Sequence, residues 1–453
     1  MTPAGDYDVI VLGGGPAGEH CAGHLADAGL RVAIVERELV GGECSYWGCI
    51  PSKTLLRPGE ALQAAREAPG ALTTGMDVGE VLAWRDFMVS GYDDTGQAAW
   101  MESKGIDLLR GAGALAGRGR VTVGDRIYTA RDVVIATGSE ALVPPVAGLR
   151  ELPGVWTNRE VTGLSELPRR LLVMGGGAIG VESAQAIRRM GASVALVEGM
   201  DHVLPREPRE LGDGLGRVLA DEGVELHFGR HVAAARFEDG EYVLAFDDGE
   251  ELRGDRLLVA AGRRARVHGI GLESVGVQPS RRGVEVDARM SAGEGLWAIG
   301  DVTGIWPLTY VGKYQGRVAA QNILGHVREA NYDAVPRVVF SDPQAAAVGE
   351  AEGPLSVTVP LSEVARTATY TRAYDTKPGF MTLVSDGERI TGACALGPEA
   401  GEWLQQATVA IRGRIPLEVM HDVIQPFPTF SEVFLHALTE LAARGREPLA
   451  AAA

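Results

Sequence analysis

The sequence predicts an α/β fold in which two Rossmann-like dinucleotide-binding domains precede a C-terminal α+β domain. Three observations lead to this prediction. A strand, a glycine-rich loop, a helix and a second strand occur in order near the start, and the same series recurs from Arg170. From about Val335 the pattern changes to several short strands and then helices. Because two copies of one spacing rarely arise by accident, we expect the chain to bind two dinucleotides.

The first glycine-rich series has the features of a dinucleotide site. Its glycines allow a tight turn, close approach of a pyrophosphate to the backbone and packing of the helix on the strand. An acid 23 residues after the first glycine can bind a ribose hydroxyl. The elements are the strand Asp8–Leu12, the glycines Gly13, Gly15 and Gly18, a helix-compatible run to Ala28, and a strand Arg31–Val35 that leads into Glu36.

The segment that follows carries two cysteines, Cys44 and Cys49, five positions apart. In a regular helix their Cα atoms would lie roughly 8 to 9 Å apart, beyond the about 7 Å that a disulfide bridges. The segment must therefore be distorted, and Gly41, Gly42 and Gly48 supply the necessary freedom.

The same segment predicts a reactive thiol. Pro51 suits the first turn of a helix that begins after Cys49, so this sulfur should lie near unpaired backbone N–H groups, with Lys53 one turn along. Both influences favour a thiolate. We interpret Cys44 and Cys49 as a redox disulfide, with two unpaired core cysteines or half of a metal site as the alternatives. No metal site is predicted, because the neighbourhood offers few further ligands: Glu43, His20 and His24.

A mixed region separates the cysteines from the second series. We expect helices over Ser52–Glu67 and Asp77–Leu109, then a hairpin over Arg120–Thr129 with a Gly124-Asp125 turn. Residues 132–139 read as a buried strand that runs into a polar turn, and prolines at 144, 145 and 153 mark the end of the first domain.

The second series repeats the first with the same spacing, since Glu198 also follows its first glycine by 23 residues. No Arg or Lys stands directly after Glu198 to receive a 2′-phosphate, which favours NAD over NADP, although Arg206 and Arg209 are close enough in sequence to reach it. The elements are the strand Arg170–Met174, the glycines Gly175, Gly177 and Gly180, the helix Val181–Met190, the strands Ser193–Val197 and Val224–Phe228, the hairpin Ala233–Phe246 and the segment Asp255–Gly262.

The rest of the chain returns to a sheet and then forms the third domain. The short apolar strand Leu296–Ile299 delivers Asp301 at its carboxyl end, the edge where open α/β sheets bind ligands; a turn aspartate is the alternative. A helix is expected over Tyr314–Leu324. The last domain should contain the strands Val338–Phe340, Ser356–Val359 and Phe380–Val384 and the helices Gly401–Ile411 and Phe430–Ala443.

Composition excludes several classes of protein. The 453 residues include 43 Lys and Arg against 60 Asp and Glu, a net charge of −17, so no positive field draws in nucleic acid. The first apolar run stops at three glycines, which indicates a strand rather than a signal peptide or membrane span. Four cysteines do not make an extracellular disulfide framework, so we expect a cytoplasmic protein in which Cys21 and Cys394 are structural.

Six motifs together resemble the group I pyridine nucleotide-disulfide oxidoreductases, in particular the dihydrolipoamide dehydrogenase type and the core of the mercuric reductase type. They are Gly13-x-Gly15-x-x-Gly18, Cys44-x4-Cys49-Ile50-Pro51-Ser52-Lys53, Ala136-Thr137-Gly138, Gly175-x-Gly177-x-x-Gly180, Ala298-Ile299-Gly300-Asp301 and Phe427-Pro428-Thr429-Phe430-Ser431-Glu432. The resemblance runs from residue 6 to about 442, and the cysteine motif is its most specific part. It implies FAD in the first unit, NAD(P)H in the second and a C-terminal dimerisation domain that makes a homodimer.

The resemblance also implies a role for individual residues. Cys49 would face the flavin as the charge-transfer thiol, and Cys44 would exchange with the substrate. Lys53 would lie near flavin N5 and pair with Glu182. The remaining cofactor-binding residues that it implies are Asp301 on the ribityl chain, Glu36 on the adenosine ribose, Glu198 in the second unit, and Gly42, Thr137, Gly138 and Gly262.

One position departs from the family pattern. Disulfide-reducing members carry a histidine just before the Pro-Thr of the last motif, contributed by the partner subunit and held by a glutamate. This chain has Phe427 there, while the glutamate, Glu432, remains. Loss of a general acid should cost about 10² to 10⁴ in a step that needs it. His421 and His436 are close enough in sequence to substitute.

Two further differences concern the acceptor. Mercuric reductases also lack this histidine but carry a C-terminal cysteine pair, whereas residues 446–453 contain no cysteine, so efficient mercury delivery is not expected. Tyr46 and Trp47 replace smaller residues between the cysteines and suggest an aromatic-lined mouth for a flat acceptor.

We therefore predict an FAD-dependent homodimer that passes electrons from NADH, with NADPH as the alternative donor, to the Cys44–Cys49 disulfide and on to a small-molecule disulfide. The alternatives are a quinone or metal-ion reductase that uses the flavin directly, and a non-catalytic FAD-binding sensor. The predicted limits are 1–148 and 269–334 for the FAD-binding domain, 149–268 for the NAD(P)-binding domain, 335–445 for the dimerisation domain and 446–453 for a tail.

Overall fold

The computed structural model describes residues 6–444, and the tail predicted over 446–453 lies outside them. The strands in these residues are β1 Tyr7–Leu12, β2 Val32–Glu36, β3 Ile106–Arg110, β4 Gly113–Leu115, β5 Arg120–Val123, β6 Arg126–Ile135, β7 Ser139–Ala141, β8 Arg170–Met174, β9 Ser193–Glu198, β10 Val224–Phe228, β11 Val232–Glu238, β12 Glu241–Phe246, β13 Glu251–Gly254, β14 Arg256–Val259, β15 Arg263–Ala265, β16 Ser291–Gly293, β17 Leu296–Ala298, β18 Arg337–Val339, β19 Gln344–Gly349, β20 Leu355–Pro360, β21 Phe380–Ser385 and β22 Ile390–Gly397.

The α-helices of the same residues are α1 Pro16–Asp27, α2 Gly42–Trp47, α3 Cys49–Glu67, α4 Val78–Met88, α5 Thr95–Ser103, α6 Asn158–Thr162, α7 Ala178–Arg189, α8 Arg209–Asp221, α9 Thr309–Ile323, α10 Ala365–Tyr370, α11 Ala400–Trp403, α12 Gln405–Gly413, α13 Leu417–Asp422 and α14 Val433–Arg444. Within residues 6–444, no helix is both long enough and apolar enough to cross a membrane.

The first of two compact units consists of residues 6–51, 83–142 and 262–331. Its sheet has the order β16-β17-β6-β1-β2-β3, and β1 pairs in parallel with β2 and β6. The apolar run Val9–Leu12 is buried because β1 is a central parallel strand covered on both faces. The carboxyl ends of β1 and β2 therefore meet at one edge of the sheet, where Gly13 and Glu36 stand.

Helices α1 and α9 pack closely in this unit. Small residues make the close approach feasible: a Cβ on Gly316 would lie 2.8 Å from the carbonyl oxygen of Ala17, and one on Gly312 would lie 3.2 Å from the Cβ of Ala17. Larger side chains at these positions would push the helices apart. This packing fixes where α9 runs and hence where its first residue, Thr309, stands.

The second unit consists of residues 52–82, 143–261 and 332–444. It contains a parallel sheet of order β10-β9-β8-β14 and an antiparallel ribbon β11-β12-β13. Helix α7 connects β8 to β9 as α1 connects β1 to β2. The second glycine-rich series therefore folds into the same strand–helix–strand arrangement as the first.

The same unit includes a five-stranded antiparallel sheet of order β18-β19-β22-β21-β20. Helix α14 packs on β20 and β21 with an apolar stripe spaced three or four residues apart. Each fully buried large side chain of this stripe contributes about 1.5–3 kcal/mol. The stripe comprises Val433, Phe434, Ala437, Leu438 and Leu441.

The architecture agrees with the predicted fold class, but several elements differ from the sequence-based expectations. Residues 106–109, expected to continue a helix, form the strand β3, which pairs in parallel with β2. The helix stops at Ser103, and Gly105 has a φ of 68°, which turns the chain into the sheet. The strand β6 is continuous where two strands were expected, and α8 and β19 were missed.

Candidate active site

The cysteine segment contains the distortion that the spacing requires. Helix α2 ends before Gly48, whose φ of −136° and ψ of −112° are not helical, and α3 begins at Cys49. Gly42, with a φ of 59°, opens α2 where a Cβ would lie 2.9 Å from the Cα of Gly15. The two cysteines therefore lie in two different helices, α2 and α3, and the break at Gly48 brings their side chains together.

The two sulfurs are half-buried thiols that share a hydrogen bond. This hydrogen bond with Cys49 raises the pKa of the Cys44 thiol, and burial and the charge of Cys49 raise it further. One proton therefore stays with the pair, since removing both would place two negative sulfurs in contact. The Cys49 Sγ also lies 3.3 Å from the hydroxyl oxygen of Thr309, the first residue of α9.

The structure brings Lys53 and Glu182 together. The Lys53 ammonium donates to Glu182 Oε2 over 2.7 Å, and the backbone N–H of Phe340 donates to Glu182 Oε1 over 2.9 Å. The Glu182 side chain is 7% exposed, so both of its oxygens need partners. The Lys53 nitrogen also lies 4.7 Å from the centre of the Phe340 ring, a cation–π contact. Lys53 is thus held in the second turn of α3 by a carboxylate and an aromatic ring.

The two acids at the ends of β2 and β9 make matching contacts. Glu36 Oε2 accepts from the backbone N–H of Gly14 over 2.8 Å, and Glu198 Oε2 accepts from Gly176 over 2.7 Å. In each acid Oε1 accepts from the residue two positions on, Glu38 over 2.8 Å and Met200 over 2.9 Å. Each carboxylate keeps further lone pairs for a ribose hydroxyl.

The glycine loops fit two dinucleotides. Helices α1 and α7 begin after Gly15 and Gly177 with no side-chain hydrogen bond at the cap, so their first N–H groups are available to an anion. A Cβ on Gly177 would meet nothing within 4 Å, and one on Gly15 would reach only Gly42 at 4.0 Å. Gly18 and Gly180, by contrast, have no room for a Cβ, since it would lie 2.0 Å and 1.9 Å from the carbonyl oxygens of the first glycines. The tight packing at Gly18 and Gly180 and the open space at Gly15 and Gly177 suit a bound pyrophosphate.

Asp301 lies at the carboxyl end of β17 in a polar network. Its Oδ2 accepts from the Ser139 hydroxyl over 2.5 Å, and that hydroxyl accepts from Arg263 Nε over 2.7 Å. Glu43, the residue before Cys44, pairs with Arg266 at 3.1 Å and with Arg263 at 3.6 Å. The network therefore connects the start of the cysteine segment to Asp301.

Next to it, the Thr137 hydroxyl donates to the carbonyl oxygen of Arg266 over 2.8 Å. Gly138 and Gly262 lie on either side of the β7–β15 pairing, both with positive φ, 73° and 128°. Sequence reasoning missed Arg263 and Arg266 because nothing near them in the sequence indicates their partners.

The expected aromatic mouth is wrong for Tyr46. This side chain is 1% exposed, because it points from α2 into the core, and its hydroxyl donates to the carbonyl oxygen of Asp93 over 3.4 Å. Trp47 stacks on Tyr92, with ring centres 6.1 Å apart. Both residues therefore pack beside the cysteine segment.

The C-terminal motif contains a carboxylate, Glu432, whose expected histidine partner is replaced by Phe427. Oε2 of Glu432 is buried with no hydrogen-bond partner in residues 6–444. The Phe427 side chain is 72% exposed. His421 contacts the Thr439 hydroxyl at 3.3 Å, and in the described part of the chain neither His421 nor His436 hydrogen-bonds Glu432. No substitute histidine is therefore seen within the described chain, nor a group of three or more side chains able to hold a metal ion.

Fold and site together define a dinucleotide-dependent redox protein with a dithiol. Residues 7–320 match the pyridine nucleotide-disulphide oxidoreductase family, and residues 335–438 match the dimerisation domain of that family. The chain belongs to this family.

Relatives with assigned activities cover almost the whole chain. A dihydrolipoyl dehydrogenase from Thermus scotoductus is 36% identical, across 96% of this chain and 97% of the relative. A mercuric reductase from Shigella flexneri is 31% identical, across 95% of this chain and 80% of the relative. Among solved structures, LpdA from Mycobacterium tuberculosis has a TM-score of 0.85 at 26% identity, covering 96% of this chain and 99% of that one. The flavoprotein disulfide reductase RclA from Escherichia coli has a TM-score of 0.84 at 26% identity, with coverages of 96% and 99%.

These matches confirm the predicted family, fold class and enzyme class. The protein is an FAD-dependent pyridine nucleotide-disulfide oxidoreductase whose cofactors are FAD and NAD(P). Neither of the two alternatives, direct quinone or metal-ion reduction by the flavin and a non-catalytic sensor, is favoured. The dimerisation domain supports a homodimer.

Proposed function

We propose that the protein reduces a small-molecule disulfide of the lipoamide type with electrons from NADH, through Cys44 and Cys49. The observation that carries this proposal is the pair of half-buried sulfurs, hydrogen-bonded across the break between α2 and α3. The dihydrolipoyl dehydrogenase relatives support the choice of acceptor.

The chemistry of the pair is thiol–disulfide exchange. Reduction of the Cys44–Cys49 disulfide takes up two electrons and one proton and leaves one thiol and one thiolate. Once deprotonated, Cys44 attacks a sulfur of the acceptor, which forms a mixed disulfide and releases one thiolate. Cys49 then attacks the Cys44 sulfur, which releases the second thiolate and restores the disulfide. The two released thiolates take up two protons.

The first unit would hold FAD. Gly13, Gly15, Gly18 and Gly42 would surround the pyrophosphate, Glu36 would accept from the adenosine ribose and Asp301 from the ribityl chain; Thr137 and Gly138 complete this set. Bound FAD supplies the two-electron chemistry between nicotinamide and disulfide. Lys53, held by Glu182, would supply a positive charge that stabilises the reduced site.

The second unit would hold the nicotinamide dinucleotide through Gly175, Gly177, Gly180 and Glu198. Gly262, which belongs to the first unit, remains a predicted cofactor-binding residue. Glu432 would lie near the bound acceptor, as a carboxylate without the histidine partner that the family pattern pairs with it. We further propose the domain limits 1–148, 149–268, 269–334 and 335–445. We also propose a cytoplasmic location, supported by the small number of cysteines in the composition.

Serine variants of the two cysteines test the proposal. Cys44→Ser and Cys49→Ser should each lower NADH-dependent lipoamide reduction at least about 10³-fold, because a serine oxygen cannot exchange with a disulfide. Both should keep FAD absorbance and dye reduction. Ser45→Ala, in the same helix, is the matched control and should change neither rate. If Cys44→Ser reduced lipoamide at the wild-type rate, the disulfide would not lie on the electron path.

A further inference from the structure

A small recess in the second unit is lined by residues that belong to none of the sites described above. Helix α3 forms one side of the recess, and the domain of the five-stranded sheet forms the other. The recess opens to solvent, and its enclosed part has room for about one water-sized group. The carboxylates and tyrosines that line it are Glu60, Glu67, Asp342, Glu399, Tyr370 and Tyr374.

Tyr374 is deeply buried at this recess, but its hydroxyl has no protein partner. The residue is 6% exposed, and no group within residues 6–444 hydrogen-bonds its oxygen. The ring is fixed from two sides, because the Lys377 nitrogen lies 5.6 Å from its centre and a Cβ on Gly379 would lie 2.3 Å from a ring carbon. Buried hydroxyls normally have a partner. A hydroxyl that lines an open recess without one therefore indicates a partner from outside the chain.

Three carboxylates of the recess keep oxygens that the described residues do not use. Arg189 donates to Oδ2 of Asp342 over 2.8 Å, and Lys377 donates to Oε1 of Glu67 over 3.2 Å. Within residues 6–444, Oδ1 of Asp342 and Oε2 of Glu67 have no hydrogen bond, and Glu399 has no ion pair. An ionised carboxylate only accepts hydrogen bonds, so the recess offers several acceptors to a ligand.

The charges at the recess act on both tyrosines. Burial raises the pKa of Tyr374 well above its usual range, and the charges of Asp342 and Glu67 raise it further. Burial also raises the pKa of Tyr370, and the charge of Glu399 adds to the effect. Both hydroxyls therefore stay protonated at neutral pH. The negative charges around them attract a cation and repel an anion.

An ammonium group suits these acceptors better than other cations do. It carries three N–H donors, and the Tyr374 hydroxyl, Asp342 Oδ1 and Glu67 Oε2 are three acceptors at the recess. A guanidinium group is a planar fork with five donors, which exceeds the space for about one water-sized group. A metal ion needs its ligands at about 2.0–2.6 Å. Within residues 6–444, no three acidic, thiol or imidazole side chains are close enough together to hold one.

We propose that the recess binds the ammonium group of a small primary amine. Tyr374, Asp342 and Glu67 each accept one N–H of this group, and Glu399, an exposed residue, adds a negative charge at the rim. The carbon chain of the amine extends into solvent. Binding is non-covalent and independent of the proposed disulfide chemistry, so the two proposals are tested separately.

Isothermal titration of the FAD-loaded protein with butylamine measures the proposed binding directly. At about pH 7.5 the amine is a cation, because a primary ammonium group has a pKa of about 10.4. About 0.15 M KCl screens exposed charges and competes at non-specific sites. Wild type should bind butylamine saturably with a Kd of about 1 mM or below. Butanol has a similar shape without the charge and should not bind.

Three variants locate the site. Tyr374→Phe removes the hydroxyl and keeps the ring, so it should weaken butylamine binding about 10-fold or more, the effect of a lost hydrogen bond to a charged group. Glu399→Gln removes a charge at the rim and should weaken binding about 5-fold or more. Glu402→Gln is the matched control, because it removes a charge from α11 outside the recess, and it should change the Kd by less than about 2-fold.

Equal butylamine affinities of wild type and Tyr374→Phe overturn the proposal. So does the absence of saturable binding up to about 10 mM butylamine, or binding of butanol as tight as that of the amine. If Tyr374→Phe does not retain FAD, the comparison of Glu399→Gln with Glu402→Gln carries the same test. All three variants should keep lipoamide reduction at the wild-type rate. A failure of the proposed disulfide chemistry appears instead in Cys44→Ser and leaves the butylamine titration unaffected.

Discussion

Replacing Glu198 with glutamine should weaken the protein's preference for NADH over NADPH. In the structure both Glu198 oxygens accept backbone hydrogen bonds, from Gly176 over 2.7 Å and Met200 over 2.9 Å, so the carboxylate is fixed at the end of β9. A fixed negative charge there can accept from a ribose hydroxyl and repels a 2′-phosphate.

The size of the preference follows from Coulomb's law. A phosphate charge about 4 Å from the carboxylate is disfavoured by about 1 kcal/mol in water and about 4 kcal/mol at the effective dielectric of a protein surface. These energies correspond to preferences for NADH over NADPH of about 5-fold and about 10³-fold. The preference at a half-exposed carboxylate should lie between these two values. We expect wild type to favour NADH by about 10²-fold in kcat/KM and Glu198→Gln to reduce this preference to about 10-fold or less.

Arg209, one of the two arginines that the sequence analysis considered for a 2′-phosphate, is already engaged. Arg209 pairs with Asp201 and also contacts Asp213 at 3.2 Å, so these acids compete for the charge that a 2′-phosphate would need. Arg209→Ala should therefore leave the NADH preference unchanged within about 3-fold, the range expected for an exposed ion pair.

The assay compares kcat/KM for NADH and NADPH with one acceptor at fixed ionic strength. Glu36→Gln is the matched control, because Glu36 makes the same pair of backbone contacts in the first glycine-rich unit. It should weaken FAD retention and leave the NADH to NADPH ratio alone. A wild-type preference for NADPH, or an unchanged ratio in Glu198→Gln, would show that this carboxylate does not select the dinucleotide.

Two further predictions concern protons. Phe427→His should raise lipoamide turnover by up to about 10²-fold, because it supplies a general acid at the position where the chain has none; Phe427→Leu is the control, and steady-state rates equal for the two variants would refute the reasoning. Burial raises the pKa of Glu19 to about 7, against about 4.3 in an unfolded chain. The folded state then holds a proton that the unfolded state has released, so the free energy of unfolding should fall as pH rises from about 4.5 to 7. Glu19→Gln should remove this dependence, worth at most about 3 kcal/mol, in urea unfolding at pH 5 and pH 7, and an equally steep fall in the variant would contradict it.

Local patterns predicted the parts of the site that depend on nearby residues. Both glycine loops and the break at Gly48 follow from spacing, because a turn or a disrupted helix is decided within a few positions. The strand β3 was taken for helix because residues 106–109, three apolar side chains and Asp107, are too few to show a clear period, and their pairing with β2 decided the outcome. Tyr46 was expected at a surface for a similar reason: the direction in which α2 faces depends on the core around it.

Contacts over long separations could not be predicted in this way. Thr309 and Cys49 are 260 positions apart, and the start of α9 has no capping side chain that would mark it in the sequence. The helix was therefore expected only over Tyr314–Leu324, and Thr309 lay outside the predicted element. The pairing of Glu43 with Arg263 and Arg266 depends likewise on the return of residues 262–331 to the first unit.

The residues expected for electron transfer are present in this protein, whereas the proton donor expected in the C-terminal motif is missing. Electron transfer as we propose it needs two dinucleotide sites and a dithiol, and the described structure contains the two glycine-rich loops and the cysteine pair that these would use. Proton delivery to a leaving thiolate needs a donor, but Phe427 has none and Glu432 Oε2 has no partner within residues 6–444. Since Cys44 also keeps its proton because of its contact with Cys49, deprotonation of Cys44 should limit exchange with an acceptor. Lipoamide reduction should therefore quicken as pH rises above 7, whereas in an enzyme with a histidine at this position the imidazole would take that proton near neutral pH.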